Sequence, residues 1–326
     1  MATIAAVQPQ PKKSGISNLI RRVRNGDEVA WAITLLFATS VLVITAMLIG
    51  ELWIGSAASR EKFGFGFLTS RLWNPVTDEF GAYPFLYGTV VTSGVALLIS
   101  VPIGVGAAIF LAELASGKWS DGLTFLVELL ASVPSVIYGL LAIFTVVPMM
   151  REYIGPGLKA VFGFLPLFQG PVYGVGYLTA SIVLAIMIFP YIISVSREAL
   201  LAVPREQREA ALALGATKWE STWQIVVPFA RLGIIGSIFL AFARALGETM
   251  AVTMVIGNDM SAHTSLLAPG NTIAAVLASE FNEATGKYYP SALIELGLVL
   301  FLLTLILNGL ARLLILVTTN KGSARV

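Results

Sequence analysis

REALLAVPREQREAALALGATKWESTWQIVVP, residues 197–228, gathers charge in a chain that has little of it. Arg197, Glu198, Arg205, Glu206, Arg208, Glu209, Lys218 and Glu220 fall within it, Arg231 and Arg244 lie just beyond, and only 12% of the chain is charged. Its local pattern is helical. Pro204 suits a first helical turn, where its missing N–H would have no partner, and Glu206 and Glu209 sit near the positive end of the helix dipole. Gly215 after Leu214 suits the left-handed conformation that stops a helix. Thr217 and Glu220 have the spacing of a capping box, with Thr217 able to bond the Glu220 amide while Glu220 reaches back. Two short helices are predicted, Pro204 to Leu214 and Thr217 to Val227, hinged at Gly215. Ala210, Ala211 and Leu214 form a small apolar patch beside charges of both signs. Such a surface permits close approach by another protein, whereas a helix resting on headgroups would favour Lys and Arg on its polar face.

On both sides of this stretch the chain is apolar. Of its 326 residues, 56% are hydrophobic, and the mean hydropathy of +0.83 exceeds what a soluble domain can hide in its own core. Apolar runs long enough to cross a bilayer occur at Val29 to Ile54, Tyr87 to Leu114, Leu123 to Met150, Gly176 to Ser196, Leu232 to Gly257 and Ala292 to Val317. The first has no small-residue cleavage site followed by a soluble domain, so it reads as a retained anchor. Six spans put both termini on one side. Thirteen Lys and Arg fall in the tails and loops of the side that holds residues 197–228, against six on the other, so both termini and the charged stretch are expected in the cytoplasm.

The chain then divides into a tail (1–28, with 1–17 read as disordered), an anchor (29–54), a periplasmic or extracellular loop (55–86), a five-span core (87–317) and a C-terminal tail (318–326). Phe63, Phe65, Phe67, Trp73 and Tyr83 in the first outer loop suggest an aromatic belt, or a docking surface for an extracytoplasmic protein. A short helix is expected near Leu158 to Phe162. Pro102, Gly104, Gly106, Pro134, Gly139 and Pro190 interrupt the spans, as in helices that pack together or line a path.

Composition excludes much chemistry. With no cysteine and one histidine, His263, disulfides, Cys nucleophiles and Cys/His metal clusters are ruled out. A net charge of +2 without a polybasic face argues against a nucleic-acid partner. The Gly-Lys pairs at 117–118 and 286–287 lack the rest of a phosphate-binding loop, so ATP would be hydrolysed by a separate subunit.

Arg244 and Glu248 lie four apart in the fifth expected span and could pair on one helical face. Each charge costs about 2.5 to 3.5 kcal/mol at mid-membrane, so both must face protein or water. They read as a cationic stop in an anion path tempered by a carboxylate, or as an ion pair fixing the helix. Hydroxyls at Thr89, Thr92, Ser93, Ser132, Ser135, Tyr138 and Thr249 could meet an oxyanion, although a helix-to-helix hydrogen bond is the commoner use. Glu113, Glu128 and Arg312 read as interfacial, and His263 as solvated.

Glu209, Ala210, Ala211, then three residues, Gly215, nine residues, Ile225, one residue, Val227 and Pro228 resemble the EAA loop of ABC importer permeases, EAA-x3-G-x9-I-x-L-P, with Val227 in place of Leu. FGAYPFLYGTVVTS (80–93), SVPSVIYG (132–139), RALGETMAVTMVIGN (244–258) and LLAPGNTIAAVLASEFNEA (266–284) are similar to permeases of phosphate importers. The resemblance implies an all-α membrane protein of the MetI-like permease fold, six transmembrane helices with cytoplasmic coupling helices between the fourth and fifth. It implies a bacterial inner-membrane location, inorganic phosphate as substrate, and no cofactor. Implied partners are a second permease subunit (PstA-like), two ATPase subunits (PstB-like), a periplasmic phosphate-binding protein (PstS-like) and membrane lipid. Coupling would fall to Arg205, Glu206, Glu209, Ala210, Ala211, Gly215 and Thr217, and the path to Arg244, Glu248 and Thr249. A permease for sulfate, molybdate or phosphonate is the nearest alternative. A secondary transporter would usually carry internal repeats, and a membrane enzyme convergent nucleophile, base or metal ligands.

Overall fold

The computed structural model describes residues 27–115 and 117–323, with backbone alone for Asp27 and residues 314–323. The disordered tail expected over 1–17, its basic residues and the last three residues lie outside the described residues. Among those described, extended pairing is limited to two isolated bridges, Asn74 with Glu79 and Gly257 with Gly270; the rest is helix and connection.

The chain divides between Ile54 and Gly55 into two units. The first is helix α1 (Asp27–Gly55), which covers the expected anchor. Trp31, Leu36, Phe37, Leu42 and Ile44 point to different sides of it and all are exposed. An all-round apolar surface is that of a helix made for hydrocarbon.

The second unit holds α2 (Tyr83–Ile109), which runs on through a π turn, Phe110–Leu114, then α3 (Gly117–Ser132), α4 (Ser135–Phe144), α5 (Tyr177–Leu201), α6 (Arg205–Ala213), α7 (Lys218–Leu246), α8 (Met250–Val255), α9 (Ile273–Glu280) and α10 (Tyr288–Ser323). Helices α1, α2, α5, α7 and α10 are each long and apolar enough to cross a membrane, and α3 with α4 makes a sixth candidate bent by 91°. The bend falls at Pro134, one of the interruptions expected in the third span, Leu123 to Met150. Pro134 lacks an N–H and disfavours helical dihedrals at Val133, so the chain turns there. Pro102 and Pro190, by contrast, stay inside α2 and α5.

The fifth span is displaced from its expected position, Leu232 to Gly257. Helix α7 begins at Lys218, so the second short helix of the opening stretch is the start of a span instead of a separate element. A π turn at Thr222–Val226 precedes Pro228, giving the ladder slack where the proline cannot donate. The last helix also continues past Val317 to Ser323.

Helix α5 is the axis of the second unit: 67% of its apolar window is buried, and Leu184, Ile188 and Ile192 are fully enclosed. A Cβ added at Gly104 would stand 2.8 Å from Ile192 Cγ2, so glycine lets α2 cross α5 closely. The first turn of α5 is closed by the 255–268 segment: the amides of Gly176, Tyr177 and Leu178 donate to the carbonyls of Val255 (3.1 Å), Ala268 (3.1 Å) and Leu266 (2.8 Å).

Residues 55–86 form two short helices, Ala57–Phe63 and Gly66–Thr69, and a packed aromatic cluster. Phe67, Trp73, Phe80 and Phe85 are buried with Tyr289, with the Trp73 ring edge-on to Phe80 at 4.9 Å and to Phe85 at 4.8 Å. Phe67 and Trp73 are therefore core residues, neither belt nor docking surface, while Phe65 stays exposed. Helix Gly155–Phe162 covers the short helix expected near Leu158.

Candidate functional site

Pro204 stands just before the first helical residue of α6, and Leu214 and Gly215 end the helix. Gly215 has φ +91°, a left-handed value that costs glycine nothing, and its amide donates to Leu212 O at 3.0 Å. Two residues on, the capping box forms as expected: Glu220 N donates to Thr217 Oγ1 at 3.2 Å and Thr217 N donates to Glu220 Oε2 at 2.8 Å. Thr217 thus starts α7 and fixes the hinge.

Arg205, Glu206, Glu209 and Ala210 are exposed on α6. Ala211 corrects the expectation, since it is 5% exposed and turned into the fold. Leu214 is exposed as expected, and the outward apolar surface beside Ala210 is extended by Leu212, with Trp219 and Trp223 packed edge-on at 5.5 Å at the start of α7.

Arg208 faces inward. Its Nε and Nη2 donate to Glu113 Oε1 at 3.2 and 2.9 Å, Nη1 to Val203 O at 2.6 Å, and Nη2 to Leu200 O at 2.7 Å. Glu113 is therefore half of an enclosed ion pair, whereas Glu128 and Arg312 are exposed. A cleft of about 340 Å³, lined by Ala112, Glu113, Leu201, Arg205, Arg208 and Glu209, opens beside the pair.

The other group of expected site residues lies at the far end of α7. Arg244 is in the last turn, and its guanidinium stacks on the Tyr191 ring of α5 at 4.3 Å, a cation–π contact. The helix stops at Leu246, so Glu248 never shares a face with Arg244 and the ion pair expected from their spacing is not made. Glu248 Oε1 accepts from Ala251 N at 3.3 Å at the start of α8, and Thr249 Oγ1 donates to Gly247 O at 3.2 Å. Tyr191 also reaches Ala131 O at 3.3 Å, next to the α3–α4 bend. The two segments beyond the breaks meet: a Cβ added at Gly139 of α4 would come within 2.6 Å of Met254 Sδ and 3.0 Å of Ala251 Cα in α8. Arg244, Glu248 and Thr249 thus stand where one span is interrupted, with Tyr191 joining Arg244 to the other interrupted one. Tyr191 was missed because nothing in its local sequence separates it from an ordinary apolar helix residue.

Most of the hydroxyl candidates bond backbone. Thr89 donates to Phe85 O (2.7 Å), Thr92 to Gly88 O (2.7 Å), Ser93 to Thr89 O (2.5 Å), Ser132 to Leu129 O (2.7 Å) and Tyr138 to Leu130 O (2.8 Å). Thr89 also accepts from Ile273 N at 3.0 Å, which ties α2 to the start of α9. His263 is not simply solvated, since it meets Asp259 at 3.0 Å. Partial burial works against the Asp259 charge, but hydrogen bonds from His263 and Ser261 outweigh it and hold the carboxyl below its ordinary value.

Residues 100–315 match the family described as "Binding-protein-dependent transport system inner membrane component". Full-length relatives include a "Phosphate transport system permease protein PstC" of Mesorhizobium japonicum, 45% identical with 90% of this chain and 91% of the relative covered. The protein of the same name in Haemophilus influenzae is 46% identical over 86% and 90%, and a "Probable phosphate transport system permease protein PstC" of Methanocaldococcus jannaschii is 34% identical over 91% and 95%. Among solved structures, a chain of a bacterial alginate ABC transporter superposes with a TM-score of 0.58 at 14% identity, covering 89% of this chain and 96% of that one. A chain of the MetNI methionine ABC transporter gives 0.54 at 16% identity over 72% and 94%. At such identities these two establish the fold alone.

Proposed function

The chain belongs to the binding-protein-dependent transport system inner membrane components, and on that premise we propose that it is the membrane-spanning permease subunit of an ATP-driven inorganic phosphate importer. The observation that carries the reading is similarity over nearly the whole chain to phosphate transport permeases, from bacteria to an archaeon. The family works with an ATPase and a binding protein; here the complete set would be a second permease of the PstA kind, two PstB-like ATPases and a PstS-like phosphate-binding protein outside. Hydrolysis belongs to the ATPase, because this chain has no phosphate-binding loop of the G-x-x-x-x-G-K-[ST] type.

The lysine and arginine distribution puts α6 and both termini in the cytoplasm. There Arg205, Glu206, Glu209 and Ala210 dock on the ATPase, with Gly215 and Thr217 setting the angle at which α6 meets it. Across the membrane, phosphate passes near Arg244, whose guanidinium is partly occupied by the Tyr191 ring and so offers a cation that holds an anion only briefly. Glu248 and Thr249 shape the interrupted segment beside it.

The test is uptake of radiolabelled phosphate by vesicles holding both permeases, the ATPase and binding protein, with sulfate, molybdate and a phosphonate as competitors. ATP-dependent uptake that only phosphate competes away is the expected result. Uptake abolished by one of the other oxyanions reassigns the substrate.

A further inference from the structure

We propose that Glu113 and Arg208 form a positioning joint that makes α2 follow α6 when the ATPase moves, a role that rests on the reading of α6 as the ATPase-docking helix. Among the charged side chains of α6, Arg205, Glu206 and Glu209 are exposed, whereas Arg208 turns away from the docking face. Its side chain is 20% exposed and that of Glu113 12%. One guanidinium binds two other elements at once: the carboxylate at the end of α2, and the Leu200 and Val203 carbonyls where α5 gives way to α6. Arginine's planar fork suits this, since it supplies several donors from one rigid group.

The π turn at Phe110–Leu114 is a second, independent observation. One inserted residue rotates the downstream side chains by about 100° around the helix axis, so this turn sets the direction in which Glu113 leaves α2. Of the two other π turns among the described residues, Met150–Ile154 lies in the outer connection and Thr222–Val226 lies where α7 packs against α6. Beneath the ion pair the flanking spans meet in one apolar cluster, with Ile109 and Leu111 from α2 and its π turn, Leu200 from α5, Val203 from the link to α6, and Val226 and Ala230 from α7. Ser120 Oγ donates to Leu111 O at 2.8 Å, satisfying a carbonyl within the first π turn. Both α2 and α7 are thus irregular at the level of α6, and a charged pair ties α2 to it. A rigid body at this point transmits displacement, whereas an apolar contact alone lets α6 slide.

The chain has no cysteine, so probes can be placed without removing native ones. Spin labels at Leu98→Cys in α2 and Phe65→Cys in the outer segment report movement of α2 in the full complex with the second permease, ATPase and binding protein. Vanadate trapping after ATP addition is expected to change the label distance in the parent chain. In Glu113→Gln that change is lost and phosphate moved per ATP falls at least about fivefold, while hydrolysis continues. Glu113→Asp, which keeps the carboxylate, restores at least half of both. An unchanged distance response and transport ratio in Glu113→Gln overturns the joint, as does a Glu113→Gln chain that no longer copurifies with the ATPase, since the pair is then merely structural. A parent complex that moves its labels but takes up no phosphate overturns the substrate reading alone, and the Glu113→Gln label response still decides the joint.

Discussion

The two ends of α7 handle polar groups in opposite ways. At Lys218 the helix starts from a capping box in water, and its neighbour α6 shows carboxylates and guanidinium groups outward, with Arg208 tied down by four hydrogen bonds. At Leu246 the helix stops before Gly247, leaving Arg244 against an aromatic ring and Glu248 on a backbone amide. The first end fixes its charged groups with many hydrogen bonds, which suits the docking role proposed for it. The second, although its apolar residues are buried, holds its two charged groups by one ring and one amide, which suits the path proposed there. Substitutions can show whether this division is real.

The largest effect is expected at the exposed carboxylate. Glu209→Lys should lower phosphate uptake at least about tenfold, roughly 1.4 kcal/mol of coupling, while the spans insert normally and ATP hydrolysis runs uncoupled. Gly215→Pro should do the same, because proline cannot adopt the φ of +91° or donate to Leu212 O. Uptake that keeps pace with hydrolysis in both variants would erase the distinction between the two ends.

Arg244→Gln comes next. A path residue predicts about tenfold less uptake with normal assembly, measured as copurification of the complete set of subunits. Normal uptake would make the arginine a packing element and the interrupted end a structural feature only.

Gly139→Ala addresses the contact that joins the two interrupted spans. The added methyl meets the Ala251 backbone as well as the movable Met254 side chain, so about 1 to 3 kcal/mol of stability should be lost, read as a lower Tm of the purified complex. Unchanged Tm and uptake would mean that α4 and α8 separate freely. A smaller loss, about 1 kcal/mol, is expected for Thr217→Ala at the rigid end, since the helix loses one capped amide.

The smallest effect lies outside both ends. Because Asp259 is held below its ordinary value, the charged form stabilises the folded segment above the unfolded pKa of about 3.9, and this contribution is lost as the pH falls through the lower folded value. Hydrogen exchange of amides 257–270 should rise over that acidic window, and Asp259→Asn should remove that pH dependence. The same acid response in the variant would assign it to another group.

Six apolar runs were legible because hydrocarbon demands them, and α6 because Gly215, Thr217 and Glu220 punctuate the chain locally. The remaining features were decided by groups distant in sequence. Pro134 breaks its span while Pro102 and Pro190 stay inside continuous helices. Helix α7 passes Pro228 but stops at Leu246, before Gly247, which follows a leucine as Gly215 does yet has φ −95° and not a left-handed value. Four-residue spacing suggested a pair between Arg244 and Glu248, an argument valid only while the helix continues. The burial of Ala211 and the partner of Glu113 could not be read because both are set by distant groups, the start of α7 packed on α6 and Arg208. The aromatic residues of the first outer loop looked like a belt because their partners, Phe85 and Tyr289, lie in other elements.

The closed first turn of α5 has an electrostatic consequence. Free amides at a helix start give a membrane protein a ready seat for an anion, with the field of the whole helix behind it. In α5 the Gly176, Tyr177 and Leu178 amides already point at carbonyl oxygens of the 255–268 segment, whose negative ends offset the local field. The most buried of the described spans thus turns its first amides to protein carbonyls and leaves an oxyanion on the proposed path to be met by other groups.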